Sequence, residues 1–278
     1  MTETATKNRY SFDDKNHIHI LDGRPLKGTT TVIREVLPAP LVWYGSGQAC
    51  KTMGWYDRKK GRVNFLPEVD GLPILTGVFD KVKKMTVWEY LDFLDKAYSA
   101  HDDYKNKRSG EGKETHAIVE WAIKEAIKNN DGFLQSEKYE DAQIERFAVW
   151  GRRKKFLFSE AHVYSEKLWL GGALDFVYAD NGFYIGDLKT SKSIYESQFI
   201  QTGMYDAQQL ENGFFTSFGE RIGNPLEIKG YTIVNLPPTG DVKTLVFYDT
   251  ATLRNFAKNI TDMHTMLRSI KAFLEARN

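Results

Sequence analysis

The stretch Leu168–Thr190, which reads LWLGGALDFVYADNGFYIGDLKT, decides the fold of this chain. Its side chains follow a period of two over Leu168–Tyr178 and again over Phe183–Thr190, which predicts two β-strands. Asp180-Asn181-Gly182 lies between them and is a strong hairpin signal, because Asn and Gly tolerate the positive φ of tight turns. We therefore predict an antiparallel hairpin with a three-residue connection and a left-handed Gly182.

The second strand carries two charged residues that project together. Asp187 and Lys189 are two apart, so they lie on the same face of the strand. Burying them in such an apolar strand is costly unless they are paired or bound to a metal. A two-residue turn would place Asp175 opposite Leu188, whereas the three-residue turn that we predict places it opposite Asp187. The alternative is a structural Asp187–Lys189 ion pair, with Asp175 as an ordinary strand-end acid.

The rest of the chain gives a simple order of elements. The patterns predict a hairpin over 9–26, helices over 30–37, 86–104, about 113–128 and 139–156, a strand over 160–166, a helix over 193–210, strands over 229–236 and 242–248, and a C-terminal helix capped by Asp249 or Thr250. This order predicts an α/β protein with a central mixed sheet flanked by helices. We expect one domain over 1–278, with a mostly helical N-terminal part over 1–110 and a catalytic core over 111–278.

Composition limits the possible functions. The chain has 38 basic and 37 acidic residues, so its charge alone does not indicate a nucleic-acid binder. Two basic clusters, Arg152-Arg153-Lys154-Lys155 and Arg58-Lys59-Lys60 with Arg62, are either DNA contacts or solvated surface. Cys50 is the single cysteine, which excludes an internal disulfide and a four-cysteine iron–sulfur cluster. No apolar run of membrane-spanning length occurs, and a reducing cytoplasm is the expected compartment.

Two helices add polar side chains to the pattern. His116 lies on or beside the apolar face of its helix and would project inward, although such a histidine is usually a hydrogen-bonded core residue. Gln201 and Tyr205 are four apart and share one helix face. They are either packing residues or donors directed at a phosphate or at the lysine.

Taken in order, these residues resemble a known family. The motifs are Gly112-x-x-x-His116, Glu160, Gly171-Gly172-x-x-Asp175, Asp187-x-Lys189-Thr190 and Gln201-x-x-x-Tyr205. Their order and spacing resemble the RecB-type branch of the PD-(D/E)XK nucleases, which includes phage exonucleases and the mitochondrial genome-maintenance exonuclease. The motifs cover about residues 110–210, and segments 29–33 and 41–43 are similar to the lead-in of phage members. The resemblance implies a restriction-endonuclease-like core.

The resemblance also implies roles for the site residues. Asp175, Asp187, His116 and the backbone carbonyl of Leu188 would bind Mg²⁺, for which Mn²⁺ could substitute. Lys189 would position the attacking water and stabilise charge on the phosphate. No iron–sulfur cluster is expected, although some relatives carry one.

Further residues follow from the same resemblance. Gln201 and Tyr205 would orient the lysine or hold the DNA strand. Glu160 occupies the place of a further acid, with Glu166 as a nearby competitor. Several aromatic residues could stack on single-stranded bases, although most aromatics pack in cores; they are Trp55, Tyr56, Trp88, Tyr90 and Trp150.

The expected activity is that of a metal-dependent exonuclease on linear or single-stranded DNA. A non-catalytic DNA-binding scaffold of the same fold and a restriction-type or structure-specific endonuclease are the alternatives. A helicase or recombinase partner is possible for small nucleases of this type, and no membrane partner is expected. The expected location is the cytoplasm of a bacterium or of a phage-infected host cell.

Overall fold

The computed structural model describes residues 8–37, 49, 68–69, 72–73, 82, 84–191 and 193–277. The chain divides into two compact units, one formed by Met1–Pro38 with Glu114–Asn278 and the other by Ala39–Lys113. The N-terminal segment therefore belongs to the unit that contains the predicted core. The expectation of one domain over 1–278 stays a prediction.

The larger unit is built on β-strands. They are β1 Tyr10–Asp13, β2 Ile18–Leu21, β3 Arg24–Pro25, β4 Lys27–Gly28, β7 Lys155–Ser165, β8 Leu170–Ala179, β9 Phe183–Lys189, β10 Phe214–Phe215, β11 Arg221–Gly223, β12 Ile228–Asn235 and β13 Lys243–Phe247. The predicted N-terminal hairpin is confirmed by β1, β2 and β3, which form a small antiparallel sheet. Residues 10–28 are thus mainly extended rather than helical.

Helices complete both units. They are α1 Thr29–Val36, α2 Val87–Asn129, a 3₁₀ turn at Ser136–Lys138, α3 Ala142–Gly151, α4 Glu196–Asn212 and α5 Thr250–Glu275. The smaller unit contains the two-stranded ladder β5 Glu68–Val69 and β6 Leu72–Pro73 together with the first part of α2.

The main sheet is mixed, as predicted. Its strands follow the order β11-β10-β7-β8-β9-β12-β13, and β4 pairs in parallel with the start of β8. β9 and β12 are parallel, so the chain crosses over between them through α4. The other neighbouring strands in this order are antiparallel.

Helices cover both faces of the main sheet, and β9 shows the alternation directly. Tyr184 and Leu188 belong to a core that includes Ile123 of α2 and Phe147 of α3. Ile185, between them, belongs to a second core with Tyr205 of α4. α1 and α5 pack with α4 in a third cluster. The fold is therefore an α/β sandwich with the sheet between two helical layers.

Three elements differ from the predicted pattern. The chain is helical throughout 105–112, because glycine lowers helix stability but keeps the backbone N–H that proline lacks. The helix predicted over 139–156 is shorter: Asp141 caps its start, and β7 begins already at Lys155. The short strands β10 and β11 were not predicted, since so few residues carry no readable period.

Several predicted features fall outside the described residues. They are Cys50, Trp55, Tyr56, the cluster at 58–62 and the segment 41–43. Within the part of the chain that the structure describes, no helix has the combination of length and apolar character that crossing a bilayer requires.

Candidate active site

The β8–β9 hairpin has the predicted connection. Ala179 pairs with Phe183, which leaves three residues in the turn, and the register runs back to Phe176 opposite Gly186. Asn181 and Gly182 both have positive φ, at 50° and 142°, so the predicted left-handed position is shared by two residues. The ladder ends at Phe176 opposite Gly186; the same register extended by one residue would bring Asp175 opposite Asp187, so the predicted turn length is confirmed while the pair of aspartates lies just beyond the ladder.

Asp175 lies where β8 changes its neighbour. β4 pairs with β8 as far as Gly171, and β9 pairs with it from Phe176 onward. In the gap between these ladders, Oδ2 of Asp175 accepts a hydrogen bond from the amide of Leu188 at 2.6 Å. The carboxylate thus takes the place of a ladder partner and is fixed beside β9.

Asp187 and Lys189 form a close pair, as expected from their spacing. Nζ of Lys189 lies 2.6 Å from Oδ2 of Asp187, and the Asp187 side chain is only 3% exposed. Among the described residues, this Oδ2 meets no donor at the angles of a hydrogen bond, despite the short distance to the ammonium. The ammonium therefore compensates the charge of this buried oxygen mainly as an ion pair.

His116, on α2, lies close to the Asp175 carboxylate. Its Nδ1 lies 3.6 Å from Oδ1 of Asp175, with the imidazole about one third exposed. Burial lowers the pKa of His116, but the Asp175 carboxylate raises it by more, so the pKa lies above its ordinary value. Burial raises the pKa of Asp175. His116 and Lys189 lower it by more, so the pKa lies below its ordinary value.

On β9, the pKa values of Asp187 and Lys189 both lie above their ordinary values. Burial raises the pKa of Asp187, and Asp175 adds to this rise, so the pKa stays above its ordinary value although Lys189 opposes it. Burial lowers the pKa of Lys189, but Asp187 and Asp175 raise it by more. The ammonium is therefore charged at neutral pH, and the two aspartates compete for cationic partners.

Glu160 occupies the position that was predicted for a further acid. The β7–β8 register places it opposite Asp175, between the pairs Ser159–Phe176 and Ala161–Leu174. Its φ is 49°, which is uncommon for a residue other than glycine. Burial, followed by the charge of Asp175, raises the pKa of Glu160 to about 8.

The competitor Glu166 lies elsewhere. Its carboxylate accepts hydrogen bonds from the guanidinium of Arg9 at the exposed N-terminal sheet. Glu160 instead lines a concave pocket with His116 and Asp175. The geometry therefore favours Glu160 over Glu166 as the additional acid.

Glu120 lines the same pocket and was missed by the sequence analysis. It follows His116 by four residues on α2, so both side chains point to the same side of the helix. Its Oε1 also contacts Nζ of Lys124, and its charge contributes to the raised pKa of Glu160. The His116-x-x-x-Glu120 spacing was the available signal.

Gln201 and Tyr205 interact as their spacing predicted. Nε2 of Gln201 donates to the Tyr205 hydroxyl at 2.7 Å. Gly172 makes room for this tyrosine, because a Cβ at Gly172 would lie 2.4 Å from Tyr205 Cε1. Burial raises the pKa of Tyr205, and the charges of Asp187 and Asp175 contribute to this rise, so the phenol lies near both aspartates in its neutral form.

Some residues that were candidates for contacting DNA contact other parts of the protein instead. Trp150 packs against the core under α3, with Nζ of Lys154 lying 4.8 Å above its ring. Lys155 pairs with Asp131, which leaves Arg152 and Arg153 as the exposed members of that basic cluster. In the smaller unit, Trp88 and Tyr90 are exposed.

The candidate metal ligands do not converge on one point. Within the described ranges, no three His, Cys, Asp or Glu side chains form a group that could hold an ion. The aspartates instead contact His116, Lys189 and the Leu188 amide. The Leu188 carbonyl stays a predicted ligand.

Comparison with known proteins adds little to this description. No family model and no curated protein matches the chain. A solved structure titled "Crystal structure of SSO0001" is similar over 81% of this chain and 86% of its own, at 11% identity and a TM-score of 0.27. A likeness of that size carries no argument about function.

Proposed function

We propose that this protein is a metal-dependent deoxyribonuclease, with an exonuclease acting on linear or single-stranded DNA as the favoured form. The observation that carries the proposal is the junction of β8 and β9. There Asp175 is fixed beside β9 by the Leu188 amide, next to the buried Asp187–Lys189 pair. The resemblance to RecB-type PD-(D/E)XK nucleases supports the same reading.

The residues at this junction fit Mg²⁺ or Mn²⁺. Carboxylate oxygens are the ligands that these hard cations prefer. Oδ2 of Asp187 is buried and its contact to the Lys189 ammonium at 2.6 Å falls outside hydrogen-bond angles, so a carboxylate oxygen that an ion could share lies next to Asp175. Asp175, Asp187, His116 and the Leu188 carbonyl would hold the ion. When bound, it would supply positive charge to the phosphate and acidify a water molecule.

Lys189 would act on the phosphate directly. Its ammonium is charged, and it is held at a fixed place by Asp187 at 2.6 Å. A positioned cation is worth most where negative charge grows during phosphodiester hydrolysis, because it needs no reorganisation at that moment. The ammonium would therefore stabilise the phosphate oxygens and orient the attacking water.

Tyr205 and Glu160 would handle protons and the DNA strand. Because Gln201 donates to the Tyr205 oxygen, the phenolic proton remains for donation to a phosphate oxygen. With its pKa raised to about 8, Glu160 is protonated at neutral pH and is suited to give or take a proton. We further propose a cytoplasmic location and leave a helicase or recombinase partner as part of the same proposal.

The test uses linear, circular, single-stranded and double-stranded DNA with Mg²⁺ or EDTA. We expect progressive loss of linear substrate only, and none in EDTA. Lys189→Ala should lower the rate by about 10²–10³-fold, the cost of losing one positioned donor to a developing anion. Lys258→Ala is the matched control, since that lysine forms an exposed pair with Asp262 and should keep wild-type activity.

Other outcomes would contradict the proposal. DNA binding without cleavage under every metal tested would support the non-catalytic scaffold. Discrete bands from circular duplex would support an endonuclease. Equal activity in Lys189→Ala and Lys258→Ala would remove Lys189 from the chemistry.

A further inference from the structure

A chain of hydrogen bonds connects the helix of His116 with the strand end of Lys189. Thr115, which precedes His116, donates from Oγ1 to Oε1 of Gln143 on α3 at 3.3 Å. Nε2 of Gln143 donates to the carbonyl of Leu236 at 3.0 Å. The amide of Leu236 in turn donates to the carbonyl of Lys189 at 2.7 Å.

The Lys189 end of this hydrogen-bond path has a second donor. Nδ2 of Asn235 also donates to the Lys189 carbonyl, at 3.2 Å, and to the Ser191 carbonyl. Asn235 is 2% exposed and Leu236 is fully buried, so water does not compete for these bonds. Two donors from the end of β12 therefore fix the backbone from which the Lys189 side chain leaves.

Gln143 is the one side chain of this path that contacts both sides. Its amide oxygen accepts a hydrogen bond from Thr115 on α2, and its amide nitrogen donates to Leu236, just after β12. A single planar group therefore sets the spacing between the two segments. His116 and Lys189 come from different layers of the fold, and their separation decides whether an ion held at His116 and the Lys189 ammonium can reach one phosphate.

We propose that Gln143 is a positioning residue that sets the separation of His116 and Lys189 in the active site. This inference rests on the proposed nuclease function and deepens it. Gln143 touches no reacting atom; it acts through Thr115 and Leu236. Since a displacement of about 1 Å at a catalytic group can cost about 10²-fold in rate, a loss of this order is expected when the bridge is removed.

The test compares Gln143→Met with Arg146→Met. Methionine keeps the length and helix propensity of Gln143 but removes both hydrogen bonds. Arg146 lies on the same helix and donates to the carbonyls of Pro237 and Pro238 in the following loop, at 3.0 and 2.9 Å. Its loss therefore loosens the contact between α3 and this loop without touching the path to Lys189.

The kinetic readout separates positioning from stability. We expect Gln143→Met to lower kcat by about 10–10²-fold while the Kd for DNA changes by less than about twofold. Arg146→Met should keep kcat within about threefold, even where both variants lower Tm equally. Gln143→Glu keeps the acceptor for Thr115 but loses the donor to Leu236, so it should not restore kcat.

A second readout does not depend on catalysis. In the full-length protein, Gln143→Met should shift the imidazole nitrogen resonances of His116 and speed amide hydrogen exchange at Leu236, whereas Arg146→Met should leave both unchanged. If these changes occur in a protein that cleaves no DNA, the bridge stands and the nuclease function fails. If kcat follows Tm equally in both variants, or if neither His116 nor Leu236 responds, the positioning role is wrong.

Discussion

Glu160 combines an unusual backbone with an unusual charge state. A left-handed φ of 49° costs a residue with a Cβ about 1–2 kcal/mol. The raised pKa shows that the carboxyl group is also held where its charged form is disfavoured. Both features are unfavourable for folding. They occur at an acid that lines the pocket with His116 and Asp175. Strain of this kind is typical of residues kept for function.

Replacing Glu160 by glycine should therefore separate stability from activity. We expect Glu160→Gly to raise the free energy of unfolding by about 1 kcal/mol, because glycine adopts positive φ without cost and removes a buried carboxyl group. DNA cleavage should fall. Urea denaturation and the cleavage assay measure the two effects.

Ala161→Gly is the matched control, since Ala161 follows Glu160 on β7 and is not among the residues with positive φ. Glycine there should lower stability by about 0.5–1 kcal/mol. A Glu160→Gly protein no more stable than the wild type would show that this backbone is not strained.

At the scale of one element, α2, the helix of His116, contains residues that disfavour helix formation. The helix extends from Val87 to Asn129 and includes Gly110 and Gly112. Each glycine costs about 1 kcal/mol relative to alanine in a helix interior. Nothing in the described structure lies within 4 Å of where a Cβ on Gly110 would be, so no packing contact requires glycine there.

Gly110 therefore offers a test of helix continuity. We expect Gly110→Ala to raise the free energy of unfolding by about 0.5–1 kcal/mol, and Gly110→Pro to lower it by about 3 kcal/mol. Thermal unfolding followed by circular dichroism measures both. If proline were tolerated without loss of helical signal, the helix would end before residue 110, as the sequence pattern had predicted.

The elements also show what sequence could predict and what it could not. The placement of Asp175 opposite Asp187 was predictable, because strand period and turn length are local properties. The positions of Glu120 in the pocket and of Gln143 between Thr115 and Leu236 were not, because they depend on how α2 and α3 lie over the sheet. The continuous α2 was missed since glycines lower helix propensity without preventing the helix.

At the scale of the whole larger unit, one buried hydroxyl is among the contacts that attach the N-terminal sheet to β7. The Tyr10 hydroxyl lies 2.7 Å from Nδ1 of His19 and 2.9 Å from Nδ1 of His162 on β7. The phenol has a single proton, so one imidazole accepts and the other donates, and both are neutral. Burial lowers the pKa of His19 to about 3 and that of His162 to about 4.

This arrangement predicts a loss of stability in mild acid. An unfolded histidine has a pKa of about 6.5, so between about pH 6.5 and 4 the unfolded chain binds protons that the folded chain refuses. The free energy of unfolding should therefore fall as the pH falls through this window, by up to about 1.4 kcal/mol per pH unit for each histidine.

Urea denaturation between pH 4 and 8 measures this slope. His19→Gln should reduce it by the share of one histidine. An unaltered slope in His19→Gln would show that His19 is protonated in the folded protein.

The pairing of β4 with β8 has a consequence for how the protein is made. Apart from the ladder that β1, β2 and β3 form among themselves, the N-terminal strands pair with distant sequence: Gly28 lies beside Gly171, and the amide of Phe12 donates to the carbonyl of Ser217. At about 5–20 residues per second, a ribosome needs roughly 10–40 s to synthesise the intervening chain. During that time Tyr10, Leu21 and Leu26, which later fill a core, have no surface to cover them. The core that these residues form with Tyr164 and Phe215 therefore closes only after β7 and β10 have been synthesised.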